Sequence, residues 1–246
     1  MVIYAEKNYK EVSKKAANIM AAQITLNPKS VLGLATGSTP VGMYQQLIKK
    51  YEKSEIDFAK VNTVNLDEYK GLAPENNQSY RYFMNHNLFD SINIDKAHTY
   101  VPNGLEPDSK KACMDYNQIL KKIGAPDIQV LGIGANGHIG FNEPGNEFVK
   151  ETHCVDLTES TIKANSRFFE NMEKVPRQAY TMGIKNIMSA KKILLLATGE
   201  GKAEALYNSL YGPITPQVPA SILQLHSDVI VVADADALWM IKEKVK

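Results

Sequence analysis

Five short, mostly apolar runs set the architecture of this chain: Val31–Ala35, Val61–Leu66, Ile128–Ile133, Ile193–Ala197 and Val229–Ala233. Successive side chains of a strand point to opposite faces, so a strand apolar at consecutive positions is buried on both. Helical candidates lie before and between the runs. Residues 10–26 place Val12, Ala16, Ala17, Ile19, Met20 and Ile24 near a 3.6-residue period, and Met43, Tyr44, Leu47 and Ile48 resume that period after Pro40. Further candidates fall at about 79–89, 109–123, 158–171 and 201–211. The alternation predicts an α/β fold with a doubly wound, mostly parallel sheet covered by helices on both faces. Ligands of such sheets sit beyond the carboxyl ends of the strands, so the residues that follow each strand are the ones to read.

The 246 residues contain no Gly/Ser/Pro-rich linker and read as one domain, 1–246. Lys plus Arg number 28 against 27 Asp plus Glu, a balance that supplies no field for nucleic acid or an anionic membrane. The start, Met1–Lys7, lacks a basic segment before an apolar one, and no run of 18 apolar residues occurs. Cys113 and Cys154 are isolated, without zinc-ligand or C-x-x-C spacing. A cytoplasmic protein with free thiols and a small-molecule partner is the expectation.

After the first strand comes Thr36-Gly37-Ser38-Thr39-Pro40, in which Thr39 is expected to cap the next helix and Pro40 to be its first residue. Gly37, the hydroxyls of Thr36, Ser38 and Thr39, and the free amides of a helix start suit a phosphate; a plain capped turn is the other reading. In Gly199-Glu200-Gly201-Lys202, the lysine near a helix start opposes the helix dipole, which suggests either a compensating anion or a solvated surface group. Gly132, Gly134 and Gly137 match G-x-G-x-x-G, with Asp156 about twenty residues on. His138, Gly140, Asn142, Pro144 and Gly145 nevertheless describe a long irregular loop instead of the helix a dinucleotide site needs. Within it, His138 and Glu143 form an imidazole–carboxylate unit able to move protons. His86, His98, His153 and His226 lack such a setting. Asp67 follows the second strand in a segment read as loop, Asp67–Leu72, where a carboxylate could move a proton between adjacent carbons of an opened sugar or serve as a turn cap. Glu68 is either a supporting charge or a solvated one.

Leu66-Asp67-Glu68-Tyr69, the run Gly132–Pro144 and Ala164-Asn165-Ser166-Arg167-Phe168-Phe169, in that order, resemble the glucosamine-6-phosphate deaminase family from the first helix almost to the C-terminus. The resemblance implies a Rossmann-like α/β sandwich and conversion of glucosamine 6-phosphate and water to fructose 6-phosphate and ammonia, with no cofactor and no metal. It implies that His138, oriented by Glu143, assists ring opening, and that Asp67 shuttles a proton between C2 and C1. The phosphate would be held by Gly37, Ser38, Thr39, Arg167 and Lys202. Asn136 stands where longer relatives carry an aspartate; it can orient a neighbour but adds no negative charge. The chain ends without the extension that long forms use in allosteric hexamers, which points to a monomer without allosteric activation.

Two other readings compete. A 6-phosphogluconolactonase-like hydrolase shares a similar Gly-rich, Gly-His loop, but Glu143 and the run Phe141–Pro144 favour the deaminase. A sugar-phosphate sensor would dispense with Asp67, His138 and Glu143. Residues 153–182, between the loop and the next strand and containing Arg167, are expected to form a lid.

Overall fold

The computed structural model describes residues 1–165, 169, 171 and 174–241. The chain opens with strand β1 (Val2–Glu6) and continues through α1 (Tyr9–Leu26), β2 (Val31–Leu34), α2 (Ser38–Glu52), β3 (Asn62–Asn65), β4 (Asp67–Tyr69), α3 (Tyr80–Asn87), β5 (Thr99–Tyr100) and α4 (Ser109–Ile123). Its second half runs β6 (Ile128–Gly132), β7 (His153–Asp156), α5 (Glu159–Asn165), β8 (Gln178–Thr181), α6 (Ile184–Met188), β9 (Ile193–Ala197), α7 (Ala203–Tyr211) and β10 (Val229–Asp234).

Seven strands form one sheet in the order β1-β10-β9-β6-β2-β3-β5, and every pairing in it is parallel. This is the doubly wound α/β arrangement that the apolar runs predict, and the Rossmann-like one that the resemblance implies. β2 and β9 are buried at every position, which is why their sequences carry no alternation. Helix α1 buries Val12, Ala16, Ala17, Met20, Ala21 and Ile24 as one face, and the Asn8 side chain caps it by accepting from the Glu11 amide. Helix α4 spans the expected 109–123, between an Asp108 cap and Gly124 at φ +90°.

The winding reverses beside β2. From it the chain builds outward through β3 and β5, then returns to lay β6 against the other edge of β2, pairing Leu32 with Ile128 and Gly33 with Gln129. A Cβ on Gly33 would lie 2.0 Å from Gln129 Oε1, so any larger residue would displace that buried side chain where it folds across the sheet. The loops leaving β2 and β6 therefore splay apart and open a crevice at the switch point.

Two local expectations are corrected, and one strand was not foreseen. Asp67–Tyr69 is a strand, not a loop: β4 pairs antiparallel with β8, and β8 with β7, in a second three-stranded sheet. Helix α2 begins at Ser38 with Gly37 as its N-cap and no side-chain capping bond, so neither Thr39 nor Pro40 marks its start. β1 is an edge strand exposed at three of its five positions, where the sequence offered no buried run.

Candidate active site

The crevice holds a cavity of about 390 Å³, within the usual size range of small-ligand sites. On one side lie Thr36, Gly37, Ser38 and Thr39, together with Lys202. Gly37 adopts φ +92°, turning the chain so that α2 starts with its amides at the cavity. The Tyr9 hydroxyl fixes this first turn, donating to the Ser38 carbonyl (2.9 Å) and accepting from the Gly42 amide (2.8 Å). Lys202 comes from a short 3-10 turn, Glu200–Lys202, beyond β9. The buried Asp234 carboxylate at the end of β10 anchors that turn by accepting from the Gly199 amide at 3.0 and 3.1 Å and from the Ala237 amide at 2.9 Å. Arg167 lies outside the described residues.

The loop after β6 supplies the facing wall. No helix follows Gly137; the loop instead closes on itself through Gly134 N–H to His138 O (2.9 Å) and Gly137 N–H to Gly134 O (3.0 Å). A dinucleotide site is thereby lost. The imidazole of His138 lies directly over Gly134, where a Cβ would come within 2.4 Å of Cε1. His138 Nδ1 is 3.2 Å from Glu143 Oε2, which also accepts from Asn136 Nδ2 at 2.7 Å. Glu143 Oε1 accepts from the Thr161 hydroxyl at 2.6 Å. Burial alone would raise the proton affinity of Glu143, but the His138 hydrogen bond and charge, with the bonds from Thr161 and Asn136, outweigh it and bring the carboxyl down to about 2. Glu143 is thus a fixed anion that orients the ring. Asn136 secures the same oxygen as a neutral donor.

Asp67 opens β4 and is 6% exposed. Its neighbours tie it to the loop: a Cβ on Gly140 would lie 3.6 Å from Asp67 Oδ2 and 3.1 Å from Thr181 Oγ1, and Thr181 faces Asp67 across the antiparallel pair. The Thr181 hydroxyl also accepts from the Phe141 amide (3.1 Å), and Asn142 Nδ2 donates to the carbonyls of Ile139 and Met182 (2.9 and 2.8 Å). Burial, and second the charge of Glu68, push the Asp67 carboxyl up to about 8. Next to it Tyr80 lines the cavity and stacks on Phe141 at 6.1 Å and 12°.

Asp67, Asn136, His138, Gly37, Ser38, Thr39 and Lys202 therefore border one cavity, with Glu143 immediately behind His138. Thr161 and Tyr80 were not singled out from the sequence. Tyr80 follows a helix-capping serine, a signal that places a backbone but says nothing of a cavity. Thr161 bonds a residue 18 positions away, for which no local pattern exists. Among the described residues, no group of three or more His, Cys, Asp or Glu could hold a metal ion, and no helix is long and apolar enough to cross a membrane.

The chain is similar over nearly its whole length to known proteins. A glucosamine-6-phosphate deaminase of Clostridium perfringens (strain SM101 / Type A) is 55% identical over 242 residues, 98% of this chain and 100% of that protein. One from Clostridioides difficile (strain 630) is 56% identical over 238 residues, 97% and 96% of the two chains. A solved monomeric glucosamine-6-phosphate deaminase superposes with a TM-score of 0.95 at 46% identity, covering 98% of this chain and 100% of that one. A 6-phosphogluconolactonase from Thermotoga maritima, at 21% identity and a TM-score of 0.75 over 95% and 99% of the chains, shares the fold. Residues 4–232 match the family described as glucosamine-6-phosphate isomerases/6-phosphogluconolactonase, and with relatives above 50% identity over nearly the whole length, the chain belongs to that family.

Proposed function

We propose that the protein is a glucosamine-6-phosphate deaminase, converting glucosamine 6-phosphate and water to fructose 6-phosphate and ammonia. The observation that carries this reading is that a buried carboxylate, Asp67, and an oriented imidazole, His138, line the same cavity as the start of a helix, its hydroxyl residues and a lysine. The dianionic phosphate anchors against Gly37, Ser38, Thr39 and Lys202, joined in this proposal by Arg167, whose planar guanidinium can bond two phosphate oxygens. That remote binding energy holds the reacting carbons against the acid–base groups.

His138, oriented by Glu143, carries the O1 proton toward the ring oxygen O5, and the pyranose opens to the aldehyde. Asp67 then removes the C2 proton, giving an enolamine, and returns a proton to C1. The resulting C2 imine takes up water, and the C–N bond breaks to release ammonia and leave the ketone. A carboxyl held near 8 is a stronger base toward a carbon acid than an ordinary aspartate, yet still ionises near neutrality. In this scheme Asn136 keeps the Glu143 carboxylate in place for the imidazole.

The finer expectations belong to the same proposal. A monomer is supported by the likeness to the solved monomeric relative. Residence in the cytoplasm agrees with two free cysteines. For a lid at 153–182, the support is contact: Thr161 reaches Glu143, and Phe169 meets the Tyr69 ring at 5.8 Å. Residues 166–168, 170, 172 and 173 of that segment lie outside the described residues.

The test is to supply glucosamine 6-phosphate to purified protein and follow ammonia and fructose 6-phosphate, with 6-phosphogluconolactone in parallel. Stoichiometric ammonia and ketose are expected. Lactone hydrolysis without ammonia would instead assign the other activity named in the family's description.

A further inference from the structure

Asp67 and Tyr80 reach the cavity from different elements, β4 and the first turn of α3. A single buried carboxylate joins the two. Glu68, 2% exposed, accepts through Oε1 from the amides of Tyr69 and Tyr80, both at 2.8 Å, and through Oε2 from the Arg81 amide at 2.9 Å. The next two amides of α3 go to Ser79, that of Tyr82 to its hydroxyl (3.0 Å) and that of Phe83 to its carbonyl (2.9 Å). The Phe83 bond is the first within the helix; the four N–H groups before it, of Ser79 (to the Asn76 carbonyl, 2.9 Å), Tyr80, Arg81 and Tyr82, are all satisfied, two of them by a side chain from a strand more than ten residues upstream. Gly104 makes room for this arrangement: a Cβ there would lie 3.2 Å from Glu68 Cγ and 2.5 Å from the Tyr69 carbonyl.

We propose that Glu68 is a positioning residue of the active site: it locks the strand that presents Asp67 to the helix that presents Tyr80, and holds a negative charge beside Asp67. The inference rests on Asp67 acting as the base of the proposed reaction. A neutral amide cannot replace this carboxylate, because glutamine offers one acceptor oxygen and would turn an NH₂ group toward a backbone N–H.

The titratable groups around the pair come from three elements besides β4 with its Tyr69. Tyr80 and Arg81 belong to α3, Tyr116 to α4, and Tyr180 faces Glu68 across the β4–β8 pair. Arg81 spends its guanidinium on the Thr99 hydroxyl and carbonyl, both at 2.7 Å, and Tyr116 donates to the Asn65 carbonyl at 2.5 Å. Burial raises Glu68 to about 7 against the pull of its three amide bonds and Arg81, and the charge of Glu68 in turn raises Asp67. Removing the charge of Glu68 takes away a like charge, and Asp67 then releases its proton at lower pH.

The experiment compares wild type with Glu68→Gln, Glu68→Asp and Ser79→Ala. It reads kcat and KM for ammonia release against pH, and the carboxyl titration of Asp67 by ¹³C NMR in the unliganded protein. In Glu68→Gln the Asp67 midpoint should fall by about one pH unit and kcat by roughly tenfold or more, with KM within about threefold. Ser79→Ala removes a cap of the same helix without changing charge, so it should lower the melting temperature and move neither quantity. An unchanged Asp67 midpoint in Glu68→Gln, or the same displacement in Ser79→Ala, overturns the inference. Should Glu68→Gln fail to fold, Glu68→Asp decides: it keeps the charge but is too short to span the two elements, so the midpoint should stay while kcat falls, and a wild-type kcat would sink the proposal. The NMR titration needs no substrate. A wild type that releases no ammonia but shows the Glu68-dependent midpoint would refute the proposed reaction and leave the Glu68 lock standing.

Discussion

At the scale of single residues, burial raises both Asp67 and Glu143, but the His138, Thr161 and Asn136 contacts reverse its effect on Glu143 alone, and stability should record the difference. Asp67 is raised from 3.8 to about 8, so its protonated form favours the folded state; the contribution is complete below the unfolded value and is lost as pH climbs toward 8. Glu143 is lowered from 4.5 to about 2, so its contribution is present above 4.5 and disappears as pH falls through 2. Asp67→Asn should therefore raise the melting temperature by a few degrees (~2–4 °C or more) near pH 8, with the gain vanishing near pH 4. The same variant should lose about 100- to 10,000-fold in kcat with little change in KM. Melts at the two pH values and one kinetic series check both; an unchanged turnover would remove Asp67 from the mechanism. Gly134→Ala is the matching probe for the imidazole. Its methyl would occupy the space of the His138 ring, so the protein should fold at a cost of about 1–3 kcal/mol while the ring leaves Glu143, and kcat should fall with the loss of that hydrogen bond. Histidine side-chain NMR would report the displacement.

Between elements, the end of β10 anchors the loop that follows β9, on the side of the cavity proposed for the phosphate. Asp234 of β10 holds the Gly199 amide, and three residues later the chain delivers Lys202 to the cavity. Lys202→Ala should raise KM by roughly 10- to 100-fold, the worth of a charge-assisted bond, with a smaller effect on kcat. Asp234→Ala should reproduce part of that loss without touching the ligand, and competition by inorganic phosphate should weaken in parallel. A phosphate inhibition constant unaltered in both variants would free this loop of its role. Elements also show where sequence is informative. β2, β9 and α4 were legible because burial on both faces, or a cap at each end, leaves a local mark. β4, β7 and β8 were not: each has three or four residues, and the β4–β8 pairing joins segments about a hundred residues apart. The start of α2 misled because the hydroxyls of Ser38 and Thr39 cap nothing. Those side chains stand at the cavity instead, so the local rule failed at a site.

Over the whole molecule, the fold class and seven of the nine candidate site residues, counting Asp67, Asn136, His138, Gly37, Ser38, Thr39 and Lys202, meet where strand-end logic places them. Glu143 stands one layer back, and Arg167 falls outside the described residues. What sequence order could not convey is how the sheet brings them together. Gly33 is one measure of that: substitution by alanine would drive a methyl into Gln129 and should destabilise the protein by about 1–3 kcal/mol, read as a lower urea midpoint. The neighbouring geometry bears on synthesis. Val31–Leu34 emerges early, yet its second partner, Ile128–Gly132, is translated almost a hundred residues later. Throughout that interval the nascent polypeptide carries a fully apolar ribbon with one row of unsatisfied amides and carbonyls, the kind of surface chaperones shield and aggregates recruit.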